Sequence, residues 1–175
     1  GMKVGLGTGS TAAWMVRCLG ERVRQEGLKI VGVPTSTRTA ELARQVGITV
    51  TSLDEAKWLD VTIDGADEFD QNLALIKGGG AALTREKIVA AQAKQFVCIA
   101  DDSKWVSVLG NFPLPVEVIP MSAARVMRQF KAMGGDASIR MVNGSPLITD
   151  NGHYIVDVKG LKITQPVEFE NQISH

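Results

Sequence analysis

The sequence predicts an α/β fold in which a mostly parallel sheet carries helices on both faces, followed by a smaller α+β domain. Short apolar runs alternate with helical patterns as far as residue 100. Two prolines interrupt this alternation within residues 111–115, and a different order of elements follows. The 175 residues, of which 45% are hydrophobic, suffice for one domain or for one domain and a small second one.

Each element of the first half is predicted from its own pattern. Helices are predicted where apolar residues recur near helical spacing, and strands where short apolar or β-branched runs lie between turn residues. The predicted strands are residues 3–6, 29–33, 48–51, 59–63, 73–76 and 96–100, and the predicted helices are residues 11–25, 37–46 and 84–94. We expect the last of these strands to be buried. Strands that alternate with helices of this length predict a Rossmann-like parallel sheet.

The prolines place a domain boundary between residues 112 and 113, so that residues 1–112 form the Rossmann-like domain and residues 113–175 the smaller one. After the boundary, the pattern predicts strands at residues 116–119, around 139 and at 154–158, with helices at 122–133 and from 166. This β-α-β-β-α order is a ferredoxin-like unit without its last strand. The chain also begins within its first strand, so we expect both ends to be incomplete.

Composition and charge argue against several classes of protein. Nineteen basic residues balance nineteen acidic ones, so the chain has no overall attraction for nucleic acid or membranes. No apolar run approaches the roughly 18 residues of a membrane span, and no signal peptide precedes the first strand. Cys18 and Cys98 lie among apolar residues, and we expect two buried, reduced thiols. These observations predict a cytoplasmic protein.

A glycine-rich turn joins the first predicted strand to the first helix. The spacing of Gly7, Gly9 and Ala12 fits the dinucleotide-binding pattern, and Ser10 and Thr11 add hydroxyl donors. Glycines let the backbone approach an anion, which the positive end of a helix attracts. The alternative is a purely structural turn. A nicotinamide site would also need an acid at the end of the second strand, where residues 33–37 offer hydroxyls that suit a phosphate or a sugar.

Three acids, Asp64, Asp67 and Glu68, follow a buried strand at the carboxyl edge of the predicted sheet. Open α/β sheets bind ligands at that edge. Acids this close repel each other and tend to raise one another's pKa. Three interpretations remain open: a magnesium site, general acid–base chemistry, and a solvated turn that caps a helix.

Lys77 and the three glycines that follow it close the next predicted strand. Consecutive glycines cost backbone entropy, and their N–H groups can form a nest that holds an anion such as an enolate oxygen. The alternative is a flexible loop. Glu86, in the first turn of the next helix, is explained by helix electrostatics alone but becomes a candidate base beside this loop. Lys104 follows a strand at the same edge and is either a phosphate ligand or a surface lysine.

Together these motifs resemble ribose-5-phosphate isomerase, type A. The resemblance extends over nearly the whole chain and is carried by residues 7–11, 64–68, 77–87 and 112–120. It implies the interconversion of ribose 5-phosphate and ribulose 5-phosphate in the pentose phosphate pathway, without a metal or an organic cofactor. It also implies that the chain forms a homodimer or a homotetramer, and that the molecule it binds is a small sugar phosphate rather than nucleic acid or membrane.

The resemblance also implies roles for matching residues. Glu86 would be the base that moves a proton between C1 and C2, and Asp64 would help to open the sugar ring. Asp67 and the glycine-loop N–H groups would handle the oxygens of the enediol, and Lys77 would bind sugar hydroxyls and balance the carboxylates. The remaining implied substrate contacts are Gly9, Ser10, Thr11, Ser36, Thr37, Gly78, Gly79 and Lys104.

Two rival functions belong to other classes. A nicotinamide oxidoreductase is supported only by the glycine-rich turn. A sugar-phosphate sensor would keep the pocket without the chemistry, but a sensor has no need of a base, and the acids and Lys77 are all present. An isomerase that shifts a hydride needs a metal held by acids and histidines, and the two histidines here are isolated in sequence.

Overall fold

A computed structural model of the chain describes residues 1–174, which divide into two compact units. The first unit contains residues 1–65 and 82–100, and the second contains residues 66–81 and the described residues from 101 onward. The predicted boundary at residues 112 and 113 stays a prediction about independently folding domains. By packing, residues 66–81 and 101–112 belong with the second half of the chain, because Ile76 and Leu109 are buried in its hydrophobic core.

The helices and strands alternate as far as residue 64 and less regularly beyond it. In chain order they are β1 (Met2–Leu6), α1 (Ser10–Glu26), β2 (Ile30–Pro34), α2 (Thr37–Gln45), β3 (Thr49–Val50), α3 (Leu53–Ala56), β4 (Val61–Asp64), β5 (Glu68–Phe69), β6 (Leu75–Ile76), α4 (Leu83–Ala91), β7 (Phe96–Cys98), β8 (Leu114–Val118), α5 (Ala123–Ala132), β9 (Asp136–Ile139), β10 (Met141–Val142), β11 (Ser145–Pro146), β12 (Tyr154–Lys159) and α6 (Pro166–Ile173). Within residues 1–174, no helix is both long and apolar enough to cross a membrane.

The first unit is built on a parallel sheet with the order β3-β2-β1-β4-β7. The chain winds from β1 outwards through β2 to β3, and then returns to place β4 on the other side of β1. The strand order therefore reverses between β1 and β4. In open α/β sheets, such a switch point opens a crevice at the carboxyl ends of the strands.

Helices cover both faces of this sheet, as predicted. Ile30 of β2 packs in one cluster with Val16 of α1 and Ala43 of α2. Val33, three residues further along the same strand, packs in another cluster with Val89 of α4. Side chains alternate between the two faces of a strand, so these clusters lie on opposite faces. The Rossmann-like α/β prediction is confirmed.

The second unit contains an antiparallel sheet with the order β8-β12-β9, against which α5 packs. This is the first-third-second order of a ferredoxin-like β-α-β-β unit, as predicted. The core includes Val156 and Val158 of β12 and Phe130 of α5, each at most 3% exposed. Two short hairpins, β5–β6 and β10–β11, complete the described strands of this unit.

The strand predicted at residues 73–76 is shorter than expected and lies outside the parallel sheet. Leu73 has a φ of +62° in a turn, where Asp70 Oδ1 accepts hydrogen bonds from the backbone N–H groups of Asn72 and Ala74, each at 2.9 Å. Only the last two residues of the predicted strand remain extended, as β6, and they pair antiparallel with β5. The strand begins two residues later than predicted because the Asp70 side chain holds residues 72–74 in this turn.

The burial predicted for residues 96–100 and for both cysteines is wrong. The strand forms as β7, but it lies at the edge of the sheet with β4 as its partner, and all three of its residues are exposed. Cys98 belongs to this edge strand, and Cys18 lies on the outward side of α1, two residues beyond buried Val16. Both cysteines are exposed, and neither forms a disulfide. Apolar neighbours in sequence therefore did not predict burial here.

The hairpin β10–β11 was not predicted, although the sequence contains a signal for it. Asn143 and Gly144 join the two strands with φ angles of +52° and +80°. Two adjacent residues with positive φ are typical of a type I′ turn, and Asn-Gly is its preferred sequence.

Candidate functional site

The predicted site residues fall into two groups, one in each unit. The first unit holds Gly9, Ser10, Thr11, Ser36, Thr37, Asp64 and Glu86, and the second holds Asp67, Lys77, Gly78, Gly79 and Lys104. Each group is built by local features of its own unit.

In the first unit, the glycine-rich turn lies at the switch point, between the end of β1 and the start of α1. Gly9 precedes the helix with a φ of +117°, a backbone conformation that favours glycine. Ser10 and Thr11 are exposed in the first helical turn. The N–H groups of that turn have no partner within a helix, so together with the hydroxyls they offer donors to an anion.

Gly7 is required by the close approach of Asp64. A Cβ atom at position 7 would lie 2.1 Å from Oδ1 of Asp64 and 2.7 Å from its Cα. Since β1 and β4 are adjacent, nothing larger than hydrogen fits between this turn and the carboxylate. The glycine at position 7 is therefore explained by packing against a buried acid.

Asp64 is the last residue of β4 and is fully buried. Its Oδ1 accepts hydrogen bonds from the backbone N–H groups of Gly65, at 2.8 Å, and Thr8, at 3.2 Å. Backbone donors of this kind stabilise the ionised carboxylate and fix its orientation. The prediction that Asp64 lies at the carboxyl edge of the sheet is confirmed.

A buried network of hydroxyl groups lies beside this turn. Thr8 Oγ1 lies 2.7 Å from Thr35 Oγ1, 2.8 Å from Ser36 Oγ and 3.2 Å from Thr39 Oγ1. All four residues are at most 7% exposed. Ser36 also caps α2 by accepting a hydrogen bond from the backbone N–H of Thr39 at 3.2 Å. The network joins the β1–α1 turn to the start of α2.

This network changes the interpretation of the predicted hydroxyl contacts. Ser36 is engaged inside the protein, whereas the next residue, Thr37, is exposed at the first position of α2. Thr8 and Thr39, which belong to the network, were not predicted as site residues. The run of hydroxyl residues after β2 was the available signal, but the contribution of Thr8 depends on the pairing of β1 with β2.

Glu86 lies in the first turn of α4 and is 3% exposed, although the residues on either side of it are more exposed. Its backbone N–H donates to the carbonyl of Ala82 at 2.9 Å, which fixes it within the helix. Glutamates are common in a first helical turn because they interact favourably with the helix dipole, and this needs no burial. Its burial is the structural feature that distinguishes Glu86 from such a residue.

In the second unit, Asp67 and the glycine loop, residues 78–80, are joined by direct hydrogen bonds. The backbone N–H of Asp67 donates to the carbonyl of Ile76 at 2.8 Å, and Asp67 Oδ2 accepts from the N–H of Gly79 at 2.7 Å. A Cβ atom at position 79 would lie 2.5 Å from Asp67 Oδ1. The loop therefore approaches the carboxylate as closely as a glycine allows.

The glycine loop has a defined turn rather than an open, flexible course. Gly78 has a φ of +104° and Ala81 a φ of +59°, and the Ala81 N–H donates to the carbonyl of Gly78 at 2.9 Å. Arg140 donates to the carbonyls of Gly79, at 2.9 Å, and Gly78, at 3.4 Å. Arg140 was not predicted as part of the site, because it lies 61 residues beyond Gly79 and no local sequence signal marks it. Lys77, which opens the loop, is half-buried.

Glu68 has a different role from the two aspartates of its motif. It is 3% exposed, and its carboxylate accepts hydrogen bonds from the backbone N–H groups of Gly110, at 2.9 Å, and Phe112. These contacts tie β5 to the segment before β8. The third acid of the motif is thus a structural residue, and the solvated-turn interpretation is wrong for it.

Lys104 is the last residue of a short 3₁₀ turn, Asp102–Lys104, and is half-buried. Asp101 caps this turn by accepting a hydrogen bond from the backbone N–H of Ser103 at 2.9 Å. The pKa of Asp101 is lowered, first by the Ser103 hydroxyl and then by its backbone N–H. Within residues 1–174, no group of three or more histidines, cysteines and acids is placed to hold a metal ion.

Comparisons with known proteins agree on one family. Residues 31–175 match the family model of ribose 5-phosphate isomerase A (phosphoriboisomerase A). The ribose-5-phosphate isomerase A of a Ruegeria species (strain TM1040) is 58% identical over 173 residues, which cover 95% of this chain and 66% of that protein. The corresponding protein of a Jannaschia species (strain CCS1) is 55% identical over 99% of this chain and 70% of its own length. The chain thus spans about two thirds of these curated relatives.

Solved structures give the same result. The ribose 5-phosphate isomerase A of Methanocaldococcus jannaschii has a TM-score of 0.95 at 47% identity and covers 100% of this chain, which spans 79% of that one. A D-ribose-5-phosphate isomerase in complex with phospho-erythronic acid has a TM-score of 0.94 at 42% identity, over 98% of this chain and 76% of that one.

Proposed function

Because this chain belongs to the ribose 5-phosphate isomerase A family, we propose that it interconverts D-ribose 5-phosphate and D-ribulose 5-phosphate through an enediolate, as a step of the pentose phosphate pathway. The observation that carries the proposal is the family match over residues 31–175, which include Asp64, Asp67, Lys77 and Glu86. Proton transfer between neighbouring carbons needs a base and stabilisation of an oxyanion, both of which these residue types can supply.

Glu86 is the proposed base that takes the proton from C2 and returns it to C1. Its burial supports this role, since a carboxylate shielded from water exchanges protons with a bound substrate rather than with solvent. Asp64, held by two backbone N–H groups, is the proposed residue that helps to open the sugar ring.

The glycine loop and Asp67 are the proposed contacts of the enediolate oxygens. Backbone N–H groups that are already in position stabilise a developing negative charge without reorganisation, and losing one such donor typically costs about 10²–10³ in kcat. Lys77, at the start of this loop, would bind sugar hydroxyls and balance the charge of the carboxylates. The hydrogen bond from Gly79 to Asp67 supports a fixed relation between the loop and this acid.

The phosphate group is proposed to bind to the first turn of α1, through Gly9, Ser10 and Thr11, and to Lys104. The phosphate takes no part in proton transfer, and its binding energy holds the sugar in place. The exposure of Ser10 and Thr11 supports direct contact. Thr37 is exposed and can also line the pocket, whereas buried Ser36 would act by holding the turn in place.

Proton NMR of ribose 5-phosphate in heavy water with EDTA tests the proposal. We expect ribulose 5-phosphate to appear, with deuterium entering at the exchanging carbon. Conversion that requires an added metal or a nicotinamide would contradict the proposed proton transfer. Binding of ribose 5-phosphate without turnover would instead favour a sugar-phosphate sensor.

Two variants test the assigned roles. Glu86→Gln should lower kcat by about 10²–10⁴-fold, because it removes a general base, and should spare the binding of phospho-erythronic acid. More than about a tenth of the original activity would mean that another residue is the base. Lys104→Ala should raise KM more than it lowers kcat, and an unchanged KM would remove Lys104 from the phosphate site.

The compartment and the assembly remain part of the proposal. We propose a cytoplasmic enzyme that forms a homodimer or a homotetramer. Light scattering coupled to gel filtration measures the molar mass, and the mass of a single 18.8 kDa chain would contradict the proposed assembly.

A further inference from the structure

Arg140 connects the ferredoxin-like sheet to the glycine loop through both ends of its guanidinium group. Nε and Nη2 donate to the two carboxylate oxygens of Asp157, at 2.8 Å and 2.6 Å. Nη1 donates to the carbonyls of Gly79, at 2.9 Å, and Gly78, at 3.4 Å. The side chains of Arg140 and Asp157 are only 17% and 21% exposed, so solvent competes weakly for these charged hydrogen bonds.

The contact with Arg140 fixes the direction in which the loop presents its N–H groups. In a planar trans peptide, the N–H points away from the carbonyl of the preceding residue. Since the carbonyls of Gly78 and Gly79 face Arg140, the N–H groups of Gly79 and Gly80 are directed away from it. The Gly79 N–H accordingly donates to Asp67 Oδ2 on the opposite side of the loop, at 2.7 Å.

The loop needs such support because glycines restrict the backbone least. A donor stabilises a developing charge best when it is already held in place. A cation on the carbonyl side of a peptide also polarises that peptide, which strengthens its N–H as a donor. Arg140 supplies both effects from outside the loop, and Asp157 holds Arg140 in position.

We propose that Arg140 is a positioning residue for the proposed isomerisation: held by Asp157, it clamps the carbonyls of Gly78 and Gly79 so that the Gly79 N–H stays on Asp67, and the loop and Asp67 keep the positions from which they would contact an enediolate oxygen. Its catalytic consequence rests on the function proposed above, while the clamp itself does not. A lysine cannot fully replace the guanidinium group of Arg140, because a single ammonium group cannot bind both carboxylate oxygens of Asp157 and the loop carbonyls in one plane.

The clamp is tested by hydrogen exchange in chains labelled with ¹⁵N-glycine. We compare Arg140→Ala and Arg140→Lys with the control Arg128→Ala, which removes an exposed arginine from α5 of the same unit. We expect faster exchange of the Gly79 amide in Arg140→Ala, an intermediate rate in Arg140→Lys and no change in the control. A Gly79 amide that exchanges equally in all four chains, wild type included, would overturn the proposal.

The catalytic consequence is tested with two ligands and with the substrate. Arg140→Ala should bind phospho-erythronic acid, whose carboxylate is planar and anionic like an enediolate, about tenfold more weakly, while its affinity for inorganic phosphate stays unchanged. Its kcat should fall by about 10²-fold with little change in KM, and Arg140→Lys should recover part of this loss. A lower fraction of folded protein would not change the affinity of the folded molecules for either ligand. If folded wild type and folded Arg140→Ala bind phospho-erythronic acid equally well, the positioning role is refuted.

Failure of the clamp and failure of the proposed function give different results. If the wild-type chain does not convert ribose 5-phosphate, the proposed function fails, and the exchange of Gly79 still decides whether Arg140 clamps the loop. If the wild type is active and Arg140→Ala is equally active, the positioning role fails alone. If Arg140→Ala does not fold, the same measurements are made on Arg140→Lys and on Asp157→Asn, which weakens the hydrogen bonds that hold the Arg140 guanidinium.

Discussion

Replacing Glu68 by glutamine tests whether the third acid of the Asp64–Glu68 motif is structural. The change keeps the size of the side chain but converts one carboxylate oxygen into an NH₂ group. In the native structure both oxygens accept hydrogen bonds from backbone N–H groups, Oε2 from Gly110 and Oε1 from Phe112. Whichever way the amide is oriented, one backbone donor then faces another donor.

The expected destabilisation follows from the burial of this side chain, which is only 3% exposed. A hydrogen bond to a charged group contributes roughly 1.5–3 kcal/mol when its loss leaves a buried group unsatisfied. Glutamine keeps one of the two bonds, so Glu68→Gln should lower the free energy of unfolding by about 1.5–3 kcal/mol. For a chain of this length, that corresponds to a decrease in Tm of roughly 3–12 °C.

Differential scanning calorimetry measures this change, with Glu168→Gln as the control because Glu168 is exposed on α6 of the same unit. The control should leave Tm unchanged within the range of ordinary surface substitutions, about 0.5 kcal/mol. Below the transition, the kcat of folded Glu68→Gln should stay close to that of the wild type. If Glu68→Gln keeps full stability but loses much of its kcat, the structural role is refuted, and Glu68 takes part in the proposed proton transfer.

Three further outcomes are expected from the structure. Gly7→Ala should lower both stability and kcat, because its Cβ would lie 2.1 Å from Asp64 Oδ1 in a buried contact, and overpacking typically costs about 1–3 kcal/mol; an unchanged Tm would contradict the close approach. The pKa of Asp60 is lowered, first by a hydrogen bond from a backbone N–H, so the stability it contributes is present at neutral pH and is lost as the pH falls below the ordinary aspartate range near about 4. Asp60→Asn should therefore lower Tm at pH 7 and no longer differ from wild type at low pH, and a Tm difference that persists there would contradict this assignment. Both cysteines are exposed and neither forms a disulfide, so a thiol-specific reagent should titrate two thiols per chain without denaturant, and titration only after unfolding would show that they are covered.

The alternation of strands and helices was predictable because the hydrophobic pattern of a sheet with two covered faces is local. Runs such as residues 29–33 alternate between two apolar environments, and most of the neighbours that bury them belong to adjacent helices and strands. The β-α-β-β-α succession of the second half was predictable for a similar reason, because each of its elements has its own local pattern. Burial at the sheet edge was not, because residues 96–98 have the composition of a central strand and only the strand order shows that β7 has β4 as its partner.

The site was predictable wherever its chemistry depends on residue type within one turn. Gly9 and the hydroxyl residues after it predict the N-terminus of a helix that can bind an anion, and in the structure they lie at the switch point of the sheet. The sequence could not predict the reason for Gly7, because that reason is the Asp64 side chain on a neighbouring strand. It could not predict Thr8 as the centre of a hydroxyl network either, since its partners follow β2.

The Asp64–Glu68 motif shows why adjacent acids need not act as one cluster. Asp64 ends a strand of the first unit and accepts hydrogen bonds from the backbone N–H groups of Thr8, in the glycine-rich turn, and of Gly65, whereas Asp67 and Glu68 lie in the second unit. In that unit, Asp67 accepts a hydrogen bond from the N–H of Gly79, and Glu68 accepts hydrogen bonds from the N–H groups of Gly110 and Phe112. Each carboxylate thus has its own backbone donors, and these donors offset the mutual repulsion of three acids in five residues. Charge density along the sequence suggested mutual repulsion as the dominant effect, but backbone donors contributed by distant segments decide what each acid can do.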